Sequence, residues 1–277
     1  MERDIRLLVL DIDGTIAGVS NQISPGVLAA IQAVQARGIQ VAIATGRMYQ
    51  SALRFHRAVE SPLPLMAYQG AYIKDPRSQT LYRHSPLPRQ MAMALLTYLA
   101  PLEADQALSI HLYIDDELHV RAIIDDTEAY AARSGIRPKA VGDLSQMLQL
   151  APQRETTKLL ALSPDTELIA DLIARLNQRY RPEELYLTRS VETFFEATHP
   201  LANKGAAVRY LAEELLDLRR DQVMAIGDNF NDVEMLRYAG LGVAMGDAPA
   251  EVCAVADWVA PSVEADGVAA AIAEYLL

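Results

Sequence analysis

Two aspartates stand two positions apart directly after an apolar run, in the stretch RLLVLDIDGTIAG at residues 6–18. In an extended chain, residues two apart share a face, so the carboxylates of Asp11 and Asp13 are expected to point the same way. At ~4 Å their repulsion costs about 1 kcal/mol in water and about 4 kcal/mol at a protein-like dielectric. Three further reactive side chains sit at comparable punctuation points. Thr45 follows VAIA, Asp228 follows VMAIG, and Lys204 opens the amphipathic stretch NKGAAVRYLAEELL.

If the three apolar runs are neighbouring parallel strands, their carboxyl ends form one crevice, the usual binding position in an open α/β sheet. A nucleophilic carboxylate, a hydroxyl and a second carboxylate then converge. Asp11, Asp13 and Asp228 together are a hard-oxygen set, which suits Mg²⁺ with waters and a substrate phosphate oxygen completing its shell. Such an ion offsets the carboxylate repulsion and supplies positive charge for an anionic ligand. Lys204 is one of four lysines, against 25 − 4 = 21 arginines. A cation at a helix N-terminus opposes the helix dipole unless both serve an anion. Thr45, with the amides of Gly46 and Arg47, adds hydrogen-bond donors for the same group. Taken singly, these residues also fit a turn, a helix cap or a solvated surface charge, and GDNFND (227–232) a helix-capping turn; it is their joint placement at element ends that points to a site.

The elements that must position them read as follows. LLVL is a strand. Ser24, Pro25 and Gly38 punctuate a helix over GVLAAIQAVQAR, as an N-cap, a first-turn proline and a terminating glycine. IQVAIATG is a buried strand and RMYQSALRFHRAV a helix. This alternation predicts a parallel sheet with right-handed crossovers. From about residue 81 the pattern changes. LSIHLYIDDELHVR is a hairpin around an acidic turn, TTKLLALS a strand, DTELIADLIARLNQRY a helix and LYLTRSVETFFEATH a strand pair. After residue 200 the α/β rhythm returns through QVMAIGD, NDVEMLRYAG, LGVAMG and a last helix over EADGVAAAIAEYLL. The prediction is an α/β, Rossmann-like core with a parallel sheet, built from 1–81 and 191–277, and an α+β domain inserted at 82–190.

The bulk composition sets bounds. The 277 residues are 51% hydrophobic and 22% charged, so the chain is a folded globular one with a sizeable core. A net charge of −11 argues against nucleic acid and against an anionic membrane surface. It also means that a phosphorylated ligand needs a local positive site. The single cysteine, Cys253, reads as a small helix hydrophobe, excludes a disulfide within the chain and fits a reducing compartment. The N-terminal apolar run is four residues long before an Asp, which is not a signal peptide, and no stretch reaches the ~20 residues of a membrane span. A cytoplasmic monomer or weak homodimer is expected.

With these residues in view, the chain resembles the haloacid dehalogenase superfamily. DIDGT (11–15), ATGR (44–47), Lys204 in NKG and GDNFND (227–232) are similar to its four motifs, and the α+β insertion resembles the cap of the Cof-type phosphatases. The resemblance implies a Mg²⁺-dependent phosphatase of small phosphorylated metabolites, sugar phosphates first among them. It implies Asp11 as the nucleophile forming an aspartyl-phosphate, and Asp13 as general acid and then base, its backbone carbonyl also on the metal. Asp228 completes the metal ligands, Asn231 and Asp232 steady the loop, the metal waters or Lys204, and Thr45 and Lys204 hold the phosphoryl oxygens. Arg47 lies beside them in support. The implied cap closes over the crevice through hinges near 81–85 and 188–192, with Arg189, Glu192 or His111 facing the substrate. Related folds also pass the phosphoryl group to a sugar, and receiver-type phosphoacceptor proteins place acidic pairs at strand ends, so a mutase or a non-catalytic phosphoacceptor stands as an alternative. Two positions depart from the family pattern: Gln69 precedes Gly70 where Asn is common, and Asp247 stands where Asn is frequent.

Overall fold

The computed structural model of the chain describes residues 4–105 and 107–277. β1 (Leu7–Leu10) is buried at every position, as an unalternating apolar run between two helix layers should be. α1 (Pro25–Ala36) starts at Ser24, whose Oγ accepts the Val27 amide at 3.1 Å, and turns Val27, Ile31 and Val34 inward. After β2 (Gln40–Ile43) comes α2 (Tyr49–Ala58), which begins two residues later than its amphipathic pattern suggests because Met48 keeps an extended backbone. β3 (Leu65–Ala67), β4 (Tyr72–Lys74) and β5 (Leu81–His84) then form a small three-stranded sheet that the sequence does not announce.

The middle of the chain continues with α3 (Arg89–Ala104), β6 (Ser109–Ile114), β7 (Glu117–Val120), α4 (Asp125–Ser134), β8 (Lys139–Ala140) and α5 (Leu144–Leu150). It ends with β9 (Thr156–Leu162), α6 (Thr166–Arg179), β10 (Tyr186–Thr188) and β11 (Phe194–Thr198). The hairpin β6–β7 turns on Asp115 and Asp116, both left-handed (φ 55° and 56°), the geometry a two-residue turn needs to match strand twist. The six strands are ordered β10-β11-β9-β6-β7-β8, antiparallel except for β7–β8. Leu96 and Leu99 of α3, Leu148 of α5 and Leu172 of α6 cluster with Ile110, Leu159 and Phe195 from the strands.

Returning, the chain forms α7 (Lys204–Arg209), which widens into π-type turns over Tyr210–Leu215 instead of continuing as a regular helix. β12 (Val223–Gly227), α8 (Val233–Tyr238), β13 (Leu241–Ala244), α9 (Ala250–Cys253), β14 (Trp258–Val259) and α10 (Gly267–Tyr275) follow. The parallel sheet is ordered β14-β13-β12-β1-β2. From β1 the chain steps one way to β2, and from β12 it steps the other way to β13 and β14. The strand order therefore reverses between β1 and β12, and a crevice opens at their carboxyl ends.

By contacts the chain divides into two compact units, one from residues up to Arg83 together with Asn203–Leu277, the other His84–Ala202. The second boundary falls later than residue 190 because β11 pairs antiparallel with both β9 and β10 and stays with their sheet. The 188–192 segment, expected as a hinge, lies inside that unit, where the Ser190 hydroxyl and amide donate to Glu196. Glu196 is in turn paired with Lys158 at 2.9 Å, both side chains buried. Among the described residues, no helix is long and apolar enough to cross a membrane.

His111, expected to face a substrate, is instead wholly buried in β6. Its Nε2 lies 3.4 Å from both Ser109 Oγ and Thr127 Oγ1, and its ring meets Tyr130 edge-on. Burial pushes its pKa down to about 3, helped by the charge of Lys158. A neutral folded His and an unfolded His of ordinary pKa mean that stability is constant above pH ~6.5 and falls as the pH drops below it. Between about pH 7.5 and about pH 5, urea unfolding of the wild type should lose about 2 kcal/mol more than that of His111→Gln. Equal losses in the two proteins would contradict this burial.

Candidate active site

Asp11 is the first residue past β1, and its amide donates to Ile226 O of the neighbouring β12 at 3.1 Å. The chain then leaves the strand. The Ile12 carbonyl accepts the amides of Thr15, Ile16 and Ala17, closing a tight turn. Gly14 sits in it at φ +77°, and a Cβ there would come within 2.2 Å of Asp228 Oδ2. Only glycine meets both demands: the left-handed backbone and the close approach of a carboxylate.

Asp228, one residue past β12, accepts a hydrogen bond from Thr15 Oγ1 at 2.9 Å. Asp232 closes the next turn. Its Oδ2 accepts the amides of Asp228 (2.9 Å) and Asn229 (3.0 Å), while its Oδ1 meets Lys204 Nζ at 2.5 Å. Lys204 is fully buried and reaches Asp11 Oδ1 at 2.6 Å. Four residues separated by up to 221 positions thus form one polar knot at the strand-order reversal.

The charges in this knot do not balance. Asp11, Asp228 and Asp232 offer carboxylate oxygens all within 4.8 Å of one another, and Lys204 is the one cation bonded to them among the described residues, so the fully ionised set carries a surplus of two negative charges. Burial pushes the Asp11 pKa up to about 7 against the pull of Lys204, with Asp232 and Asp13 adding to the rise. Burial also raises Asp228 well above the usual carboxylate range, with Asp232 and Asp11 contributing. Burial opposes the charge on Lys204, but Asp11 and Asp232 outweigh it and its pKa is raised. An oxygen-only donor set with a surplus of two negative charges fits a hard divalent cation. Asp232 is committed through both oxygens, so Asp11 and Asp228 are the side chains left to meet such an ion.

Asp13 is not brought into this cluster. The shared-face expectation ends with the strand at Leu10, and the turn swings Asp13 toward Arg47. Arg47 donates from Nε to Oδ2 at 2.7 Å and from Nη2 to Oδ1 at 2.5 Å, and Nη2 also donates to Asn21 Oδ1 at 2.7 Å. The guanidinium stacks over Phe55 at 4.7 Å. Thr45 follows β2 and is buried; its amide donates to Met66 O and its Oγ1 accepts the Arg47 amide at 3.1 Å. Gly46 follows it. Asn231 is buried and donates from Nδ2 to Gln69 Oε1 at 3.2 Å. Sequence reasoning missed Thr15 and Asn21, whose partners only the folded loop reveals. It singled out Asp247, which is exposed.

Comparison with known proteins shows the family. A family model described as haloacid dehalogenase-like hydrolase matches residues 8–272. The 5-amino-6-(5-phospho-D-ribitylamino)uracil phosphatase of Bacillus subtilis is 27% identical over 281 residues, covering 99% of each chain. The pyridoxal phosphate phosphatase of Escherichia coli is 26% identical over 280 residues, covering 98% of this chain and 99% of its own. A haloacid dehalogenase-like hydrolase from Bacteroides thetaiotaomicron superposes with a TM-score of 0.80 at 26% identity, over 98% of this chain and 99% of that one. The chain belongs to the haloacid dehalogenase-like hydrolases and is a phosphoric monoester hydrolase.

Proposed function

We propose that this chain is a Mg²⁺-dependent phosphatase of small phosphorylated metabolites, sugar phosphates first among them, working through a phosphorylated Asp11. The observation that carries the reading is the uncompensated charge around Asp11: three clustered carboxylates, Asp11 and Asp232 buried and Asp228 partly so, against the single ammonium of Lys204. A purely structural cluster gains nothing from such an imbalance, whereas a site that takes up a cation and a phosphate needs it. The substrate class leans on relatives whose names specify a phosphoribityl compound and pyridoxal phosphate.

Asp11 and Asp228, with the backbone carbonyl of Asp13, would hold the ion, which would shield the phosphoryl oxygens from the carboxylates. An Asp11 oxygen attacks phosphorus as the ester P–O bond breaks, and the bonding pair leaves with the alcohol oxygen. Asp13 gives that oxygen a proton, which requires one of its oxygens to let go of Arg47. It then takes a proton from the water that attacks the acyl phosphate, releasing phosphate and the Asp11 carboxylate. Lys204, with Thr45 and the Gly46 amide, meets the charge that spreads over the phosphoryl oxygens. Asp232 keeps Lys204 in place through the bond between them. Substrate choice we assign to the second unit, His84–Ala202.

A phosphate-release screen over phosphorylated sugars, nucleotides and cofactors tests the reading. Release should depend on Mg²⁺ and fall at least ~100-fold in chelator. Saturating Mg²⁺ at ~100 times its Kd should stabilise the protein by about 2.7 kcal/mol. An isomerised phosphosugar in place of free phosphate would mark a mutase, and a stable phosphoprotein without turnover a phosphoacceptor. Metal-independent release would remove the cation from the account.

A further inference from the structure

The site has a buttress that neither the four motifs nor the mechanism above uses. Between β3 and β4 the chain makes a single turn, Tyr68–Gly70, in which Tyr68 (φ 53°) and Gln69 (φ 59°) are both left-handed without being glycine. Both are wholly buried. Left-handed backbone is disfavoured for residues carrying a Cβ, and such strain collects where function demands a fixed geometry.

The contacts of this turn say what it fixes. The Tyr68 amide donates to Arg47 O and the Gln69 amide to Thr45 O, each at 2.9 Å, so the turn is laced to the segment that carries the phosphate-binding hydroxyl. The Gln69 side chain lies along Gly46 so closely that a Cβ on Gly46 would be 2.5 Å from Nε2. Its far end, Oε1, accepts from Asn231 Nδ2 at 3.2 Å. That bond decides the orientation of the Asn231 amide. With Nδ2 spent on Gln69, Oδ1 is the end left over, and this buried oxygen has no hydrogen-bond partner among the described residues. A buried acceptor without a donor is costly unless a ligand supplies one.

We propose that Gln69 is a positioning residue: it holds the Thr45–Gly46 segment against the 228–232 loop and turns Asn231 so that its oxygen, not its nitrogen, is offered to a donor of the loaded site, such as a water of the cation. The proposal rests on the phosphatase reading. It makes Gln69 act through Asn231, without touching the reacting atoms.

The test is steady-state hydrolysis of p-nitrophenyl phosphate with Mg²⁺ by the full chain, its Gln69→Gly and Asn231→Ala variants, and the double variant. Glycine accepts the left-handed backbone without strain, so the turn survives while the amide is deleted. Should that variant not fold, Gln69→Leu, which keeps the volume and loses the polar end, replaces it. Each single change is expected to lower kcat ~10–100-fold while moving KM less than about threefold, the signature of misplacement rather than lost binding. The double variant should be no worse than the poorer single one, because both break one linkage. Wild-type kcat in the folded Gln69 variant, a loss confined to KM, or losses that multiply in the double variant would each overturn the proposal alone. A wild-type protein that hydrolyses nothing would overturn the phosphatase reading, and this proposal with it.

Discussion

Asn in place of Asp11 is expected to abolish turnover, by roughly 10⁴-fold or more, because the amide oxygen cannot replace the attacking carboxylate. The same change should leave the fold intact and, in metal-free protein near pH 8, raise its melting temperature or leave it unchanged. The sign follows from the environment. Burial and the Asp232 charge hold the Asp11 pKa up at about 7, so ionised Asp11 weighs against the folded state above that pH. Asn carries no charge and removes that penalty, while Lys204 keeps its bond to Asp232. Mg²⁺ should reverse the order, stabilising the wild type more than the variant. Retention of a substantial rate by Asp11→Asn would take Asp11 out of its role.

Lys204→Met should be at least as damaging, for a different reason. The ammonium is wholly buried between Asp11 (2.6 Å) and Asp232 (2.5 Å), and its loss leaves three carboxylates facing one another. Removing one partner of a buried pair costs about 3–5 kcal/mol, because the remaining charge is stranded. The fold should therefore be weakened as well as inactive at neutral pH. Lowering the pH from about 7 toward about 5 should restore part of the stability: carboxylates with raised folded pKa values take up protons in the folded state before the unfolded one does. Chemical denaturation at the two pH values reads this directly. A variant as stable as the wild type at neutral pH would mean that the knot is not held by Lys204.

What could be read before the fold was known follows from how parallel strands are built. Buried on both faces, they appear as uninterrupted apolar runs, so the first polar residue after each run marks a carboxyl end; Asp11, Thr45 and Asp228 were visible for that reason. Lys204 stood out by rarity and by its place at the start of a helix. Side-chain destinations were not legible. The shared-face argument for Asp11 and Asp13 holds only while the chain is extended, and the turn accepted by Ile12 O begins one residue after Asp11. Asp13 therefore went to Arg47, and Asp232, four residues beyond Asp228, took its place among the clustered carboxylates. The left-handed pair Tyr68–Gln69 carries no turn signal of its own beyond the following glycine. His111, a polar residue in an alternating strand, read as exposed but is enclosed by Thr127 and Tyr130 of α4, whose acidic first turn and terminal Gly135 mark a helix but not what it covers. The late return to the first unit turned on strand pairing between β9 and β11, a long-range match that local pattern does not encode.

Acid quenching during turnover, followed by mass spectrometry of the digested protein, tests the central claim most directly. A phosphoryl group should be found on the peptide containing Asp11, transient in the wild type with Mg²⁺ and absent from Asp11→Asn. Steady phosphate release with no phosphorylated peptide at any quench time, or with the group on another residue, would contradict it.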